Sequence, residues 1–164
     1  YFNKKKLKIV EKYFKKNKKF NVVYNHPKSN KNKFIYKNKI SKDIWPTIFP
    51  TSCISVRKKL LKKFISFSKP NSFPNLEIDA RIVIFMKFYM SEYNIIKKKL
   101  TTYNEDEFGI TSQIPKFSTK WWFRRMEAFT YMDFILKKRN KKLYKNIDYI
   151  ITIIVFKILK IFNQ

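Results

Sequence analysis

The chain has 164 residues, of which 45% are hydrophobic and 18% aromatic, and its formal net charge is +27. This composition argues against a disordered chain, and the length is enough for one domain or for part of a larger protein. Because Cys53 and His26 are the only residues of their types, an intrachain disulfide and a zinc site built from several thiolates or imidazoles are excluded. A single glycine likewise excludes a glycine-rich phosphate loop.

The first third of the chain alternates lysine-rich amphipathic stretches with short apolar runs. Helical spacing and two-residue alternation distinguish the predicted helices from the predicted strands, and proline clusters mark the turns. His26 is expected at the surface of a turn, and Cys53 is expected to behave as a small hydrophobic side chain. The predicted elements are a helix at 4–19, a buried strand at 20–24, a turn at 26–30, an edge strand at 34–36, a loop at 43–52 and a strand at 53–56.

The remainder of the chain is predicted to be mainly helical. Leu60, Leu61, Phe64 and Ile65 form one apolar face between lysines. Ser118 or Thr119 is a suitable N-cap for a long helix through Trp122 and Leu136. The predicted elements are a helix at 58–67, a loop at 68–74, an apolar helix from Glu77, a strand at 95–103, an acidic turn at 104–109, the long helix, a basic run at 137–145 and an apolar tail at 147–162.

The apolar tail is the most hydrophobic part of the chain, but Lys157 and Lys160 interrupt it. A membrane-spanning helix needs about 20 apolar residues, so we do not expect this segment to cross a bilayer. A core helix and an amphipathic helix lying at a membrane surface both remain open.

The excess of positive charge has three interpretations, namely a nucleic acid, an anionic membrane surface or a phosphorylated substrate. Lysine outnumbers arginine by 33 to 5. Arginine is the residue that best matches base edges and phosphates, so this ratio disfavours nucleic-acid recognition. The abundance of Lys, Ile, Asn, Phe and Tyr is typical of A- and T-rich codon usage, which makes part of the charge compositional drift.

Carboxylates are rare in this chain, and Glu77 and Asp79 lie together where the apolar helix begins. On a helix the two positions point in different directions, so that one can face a cleft while the other faces water. A carboxylate there suits a general base that removes a proton from a substrate hydroxyl. The alternative is that both acids only complement the helix dipole and nearby lysines.

A second group combines Trp121 and Trp122 with Arg124 and Arg125. Aromatic faces stack on sugar rings or bases, and arginines bind phosphates. The alternative is that Trp122 belongs to the core and that the arginines are solvated.

Several segments resemble, in their order along the chain, the acceptor-side part of bacterial family 2 glycosyltransferases. In that family a strand with a small-residue S…SVRK pattern runs into a short helix, and an acidic element precedes a later helix. Residues 3–7 also look like the segment that follows the family's metal-binding aspartates. The resembling segments are NKKKL at 3–7, WPTIFPTSCISVRK at 45–58, FPNLEIDAR at 73–81, LTTYN at 100–104 and WWFRRMEA at 121–128.

The resemblance implies an α/β fold, namely the C-terminal half of a GT-A, Rossmann-like domain with appended C-terminal helices. Residues 1–140 would be the acceptor-side part, incomplete at its N-terminus, and residues 141–164 a basic linker and an apolar helix. The family's DxD motif, which holds Mg²⁺ or Mn²⁺ on the nucleotide sugar's diphosphate, does not occur here. Glu105-Asp106-Glu107 lies in the wrong place. The metal ligands are therefore expected outside this chain, and the fragment alone is expected to be inactive.

The resemblance also assigns site residues. Asp79 matches the acid that deprotonates the acceptor hydroxyl, and Glu77 competes with it because the common pattern is an adjacent Glu-Asp pair. Arg124 and Arg125 would neutralise a diphosphate or an anionic acceptor, and Trp121 and Ser52 are the further substrate-binding candidates.

The implied partners are a nucleotide sugar and a saccharide or lipid-linked acceptor, in the cytoplasm or peripherally on the inner membrane through the C-terminal helix. The alternative function is a small basic protein without catalytic activity that binds a membrane surface or a nucleic acid.

Overall fold

The computed structural model describes residues 3–29, 49–90, 93–103 and 114–162. These ranges form an α/β fold with a small mixed sheet. The predicted strand at 34–36, most of the loop at 43–52 and the acidic turn at 104–109 lie outside them. The elements are α1 (Lys6–Lys16), β1 (Val22–Ser29), β2 (Ile54–Val56), α2 (Lys58–Ser68), α3 (Ile78–Phe85), β3 (Asn94–Tyr103), α4 (Thr119–Lys137) and α5 (Ile147–Phe162).

The sheet has the strand order β2-β1-β3, in which β1 pairs antiparallel with β2 and parallel with β3. The pairing with β3 continues from Val23 to Ser29, with irregularities on either side of His26. The predicted turn at residues 26–30 is therefore wrong over the described residues, and His26 is a half-buried strand residue. Pro27 is accommodated because the register shifts there, and proline is tolerated at such irregularities.

Helices cover both faces of the sheet, as the alternation of β1 side chains requires. Val22 and Tyr24 point into the larger core, which is shared with α2, α3 and α4. Val23 points to the other face, where it packs with Val10 of α1 and Leu100 of β3. The predicted helix at 4–19 and the predicted strands at 20–24 and 53–56 are confirmed, and β1 is longer than the buried run that predicted it.

The apolar face predicted for α2 is only half correct. Leu60 and Phe64 are buried, whereas Leu61 is 39% exposed and Ile65 is 61% exposed. Positions 60 and 64 lie four residues apart and so form one narrow line along the helix. Helix α2 lies at the border of the core, so the core buries only Leu60 and Phe64 of this face.

The long helix α4 begins as predicted, since the Oγ of Ser118 accepts a hydrogen bond from the backbone N–H of Trp121. Most of its C-terminal half is buried, and Phe129, Met132 and Ile135 are fully enclosed. Helix α5 packs along α4 through ring contacts between Phe123 and Phe156 and between Phe129 and Tyr149. Within the described residues, no helix combines the length and the hydropathy that a bilayer crossing requires.

We expect Tyr131→Phe to stabilise the protein. The Tyr131 hydroxyl is buried and has no hydrogen-bond partner among the described residues. A buried polar group without a partner costs about 1–3 kcal/mol, so its removal should raise the free energy of unfolding by about 1 kcal/mol, measured by urea denaturation. The matched control is Tyr13→Phe, which should destabilise because the Tyr13 hydroxyl accepts a hydrogen bond from Asn94. Equal destabilisation by both variants would contradict the prediction.

Candidate functional site

Asp79 and Glu77 lie at the N-terminus of α3, where the preceding loop meets the helix. Glu77 is the extended residue immediately before the helix, and Asp79 belongs to its first turn. Both side chains are partly buried. The structure therefore brings together the two acids that the sequence singled out, at one end of one helix.

Arg124 joins this group from α4. Its Nε donates to Oε2 of Glu77 at 2.6 Å, and the two side chains are only 20% and 23% exposed. The carboxylate of Glu77 is thus held by a charge-assisted hydrogen bond, the stronger kind of polar contact.

Asp79 is in a different electrostatic position. Its Oδ1 accepts the backbone N–H of Ala80 at 2.8 Å, and no cation forms an ion pair with it among the described residues. Burial, and then the neighbouring charge of Glu77, raise the pKa of Asp79 above its ordinary value, and the Ala80 N–H and Arg124 only partly oppose this. A raised pKa is what a carboxylate needs to accept a proton from a hydroxyl near neutral pH.

Three side chains on one face of α4 hold the loop that carries these acids. Arg124, Glu127 and Tyr131 follow helical spacing, and they contact Glu77, Asn75 and Phe73 respectively. We call this arrangement the α4 ladder.

The middle contact of the α4 ladder consists of two hydrogen bonds. The carboxylate of Glu127 accepts from the Asn75 backbone N–H at 2.8 Å and from the Asn75 side-chain amide at 2.6 Å. At the last contact, the rings of Tyr131 and Phe73 meet edge to face with centroids 5.1 Å apart. Two segments that are separate in the sequence, 73–79 and 121–131, are therefore one structural unit.

Arg81 fixes the same loop from inside the core. It is buried, and its guanidinium donates to the carbonyls of Leu76 at 2.7 Å, Ser68 at 3.1 Å and Phe73. A planar group with five donors is suited to several acceptors at once. Arg81 is a positioning residue that the sequence did not single out. Its signal in the sequence was a basic side chain followed directly by the apolar run of the same helix.

Arg125 and Trp121 are oriented toward α5. The guanidinium of Arg125 pairs with Asp148, donates to the Oγ1 of Thr152 at 3.3 Å and lies over the Trp121 ring at 4.8 Å. The rings of Trp121 and Trp122 meet edge to face with their centroids 4.6 Å apart, and Trp122 is only partly buried. The two arginines that are adjacent in sequence thus serve different contacts, because neighbouring helical positions point about 100° apart.

Ser52 belongs to a third group, beside the sheet. Its carbonyl accepts from the Nζ of Lys6 and from the Oγ1 of Thr101, the latter at 3.2 Å. Lys6 and Thr101 are buried, and the amide of Asn25 donates to the Thr101 hydroxyl at 3.1 Å. No described contact links this group to Asp79.

The described residues form no metal-binding cluster at Glu77 and Asp79, and the recess that they line lies elsewhere. Among the described residues no cluster of His, Cys, Asp or Glu side chains is arranged to hold a metal ion. A shallow, solvent-open recess of about 620 Å³ lies at the start of α5, where Lys145 and Asp148 contribute to its lining, and not beside Asp79.

Comparison of the chain with models of protein families, with curated proteins and with solved structures found no match. The glycosyltransferase resemblance therefore stays a hypothesis that has to be judged on the site itself.

Proposed function

We propose that the chain is the acceptor-binding part of a glycosyltransferase that uses a nucleotide-sugar donor, with a GT-A domain completed by a nucleotide-binding half. The observation that carries the proposal is the placement of Asp79. It is a half-buried carboxylate with a raised pKa and no ion-pair partner among the described residues, on a loop–helix junction held by Arg81 and the α4 ladder. A base must be positioned before it can work, and this junction supplies that position.

In the proposed reaction Asp79 accepts the proton of the acceptor hydroxyl. The hydroxyl oxygen attacks the anomeric carbon of the donor sugar, and the bond from that carbon to the diphosphate oxygen breaks on the opposite side. The products are a glycoside of inverted configuration, a nucleoside diphosphate and a protonated Asp79, which later loses its proton to water. Glu77 holds Arg124 beside Asp79 through their hydrogen bond. The negative charge of Glu77 also adds to burial in raising the pKa of Asp79.

Among the described residues, no cluster of His, Cys, Asp or Glu side chains is arranged to hold a metal ion. Under the proposal a divalent cation, Mg²⁺ or Mn²⁺, is held by residues of the nucleotide-binding half. Among the described residues, the charged side chains next to Asp79 are Arg124 and Glu77. Trp121 is an aromatic candidate on α4 for stacking on a sugar, whereas the guanidinium of Arg125 faces α5 and is paired with Asp148.

The proposal predicts that the gene encodes, upstream of Tyr1, a strand–helix nucleotide-binding half that contains a DxD motif. The full-length protein should release nucleoside diphosphate from a nucleotide sugar when an acceptor is added, in a panel of UDP-, GDP- and dTDP-sugars with Mg²⁺ or Mn²⁺. An upstream sequence without these features would overturn the proposal. Acceptor-independent binding to nucleic acid with a steep salt dependence, and no transfer, would favour the alternative of a basic binding protein.

A further inference from the structure

Helix α5 has two apolar faces, and α4 covers only one of them. The covered face centres on Thr152, which is fully buried, and includes Tyr149 and Phe156. The opposite face exposes a line of large apolar side chains, with Ile147 76% exposed and Ile161 72% exposed. We call it the apolar stripe, and its members are Ile147, Ile150, Ile151, Ile154, Ile158, Ile161 and Phe162.

The apolar stripe is continuous and covers one side of the helix along its whole length. At 100° per residue its seven side chains fall within an arc of about 120°, and they extend for about 23 Å along the helix. A helix that is apolar on both sides is normally buried on both sides. Exposed apolar surface that is continuous in this way marks an interaction site more often than chance exposure of single side chains does.

No acidic group faces the apolar stripe from α5 itself. Asp148 is the one acid of this helix, and Arg125 pairs with it on the side packed against α4. Lys157 is exposed at one border of the stripe, and Lys160 is exposed farther round the helix on the same side. Lysines at such a border extend their ammonium groups toward a polar layer while their stems lie on apolar material.

A basic linker leads directly into α5. It comprises residues 137–145, and its six basic side chains are exposed. Lys137 pairs with Asp133, whereas Lys138, Lys141, Lys142 and Lys145 form no ion pair among the described residues. The linker therefore places uncompensated positive charge at the end of the stripe.

We infer that the apolar stripe and the basic linker together dock the protein on an anionic lipid surface, with α5 lying parallel to it. Apolar side chains that enter the acyl boundary and lysines that meet anionic headgroups are the two attractions by which such helices bind. A second copy of the chain is a poorer partner, because the pairing would bring two basic linkers together on molecules of charge +27. The inference does not depend on sugar transfer, and vesicle binding is measured without donor or acceptor.

The test is co-sedimentation of the purified full chain with vesicles in which about one third of the phosphatidylcholine is replaced by phosphatidylglycerol. We expect binding that weakens with salt and is much weaker to pure phosphatidylcholine. Ile154→Glu and Ile158→Glu should each lower the partition coefficient by at least about tenfold, since each removes an isoleucine that would enter the bilayer and adds a charge. Replacing Lys141 by Gln should lower it by about fivefold.

The matched control is Ile65→Glu, because Ile65 is also an exposed helical isoleucine but lies on α2. It should leave vesicle binding unchanged, and circular dichroism checks that all variants fold. An independent readout uses Ile158→Cys labelled with an environment-sensitive dye. Cys53 is fully buried, so the new thiol is the one that reacts, and its emission should shift to the blue on vesicles.

Three results would overturn the inference. The first is unchanged vesicle binding by Ile154→Glu. The second is a dye at position 158 whose emission does not shift to the blue when the protein binds vesicles. The third is an absence of vesicle binding together with a dimer that Ile154→Glu dissociates, which would identify a second copy as the occupant of the stripe.

Discussion

Under the proposed function, Asp79→Asn in the full-length protein is expected to abolish most sugar transfer while leaving nucleotide-sugar binding intact. Asparagine occupies the same space but cannot accept the acceptor's proton, and removal of a general base costs about 100-fold to 10,000-fold in rate. The loss should appear in kcat, with little change in KM for the donor, because the base acts on the acceptor in the transition state. Steady-state kinetics with both substrates varied measures this.

The same substitution should not destabilise the fold, and this separates a catalytic role from a structural one. Burial raises the pKa of Asp79 in the folded state, so the folded protein binds this proton more tightly than the unfolded chain does. The stability contributed by the protonated carboxyl is fully present below the unfolded-state pKa. It is lost as the pH rises through the raised folded-state pKa.

Asp79→Asn removes the cost of burying a charged carboxylate at position 79. At neutral pH its free energy of unfolding should therefore equal or exceed that of the wild type, and the difference should shrink as the pH falls toward the ordinary aspartate pKa of about 4. Urea denaturation at several pH values tests the sign.

Two comparisons make the Asp79 result interpretable. Glu77→Gln keeps an oxygen for Arg124, so we expect a smaller loss, of less than about tenfold, through a lowered Asp79 pKa. Asp133→Asn alters a surface i,i+4 pair with Lys137 and should leave turnover unchanged. Near-normal turnover by Asp79→Asn, with a large loss in Glu77→Gln, would transfer the role of base to Glu77.

Arg81→Met is expected to cause the largest loss of stability among single substitutions near the site. Methionine fills much of the volume but leaves the carbonyls of Leu76, Ser68 and Phe73 without their donor. Buried acceptors that lose a partner cost about 1–3 kcal/mol each, so the free energy of unfolding should fall by about 3–5 kcal/mol. Arg81→Lys should recover less than half of this, because one ammonium cannot match the planar fork.

The matched control for Arg81 is Arg139→Met. Arg139 also donates to backbone carbonyls, those of Phe88 and Tyr89, but it does so at the surface, where water can replace it. We expect Arg139→Met to lower the free energy of unfolding by less than about 1 kcal/mol, with both variants measured by urea denaturation. Equal losses at positions 81 and 139 would show that Arg81 does not hold the loop. Under the proposed glycosyltransferase function, Arg81→Lys in the full-length protein should also lower kcat, since Asp79 would lose its support.

Periodicity along the chain was sufficient to predict most elements. The helices α1, α2, α4 and α5 and the strand β2 lie close to their predicted positions, and the Ser118 cap is confirmed. These features depend on contacts within a few residues, such as apolar spacing and a side chain that bonds the backbone three residues later. The pairing of Glu77 with Asp79 at a helix start was visible for the same reason.

Long-range pairing decided what these local patterns could not. Hydrogen bonds to β3, more than 60 residues away, hold His26 and Pro27 in a strand although their local sequence favours a turn. Whether an apolar face is covered also depends on distant elements. Leu61, Ile65 and the outer face of α5 satisfy the same periodicity as buried faces, yet the core does not reach them.

The acids at α3 show the same division between sequence and fold. Their residue types and their position on the helix follow from the sequence, but their different electrostatic states do not. Burial raises the pKa of Asp79, while Arg124, 47 residues from Glu77 in sequence, pairs with Glu77. Burial and charge pairing act through space, so the distinction between the two carboxylates is a property of the packed molecule.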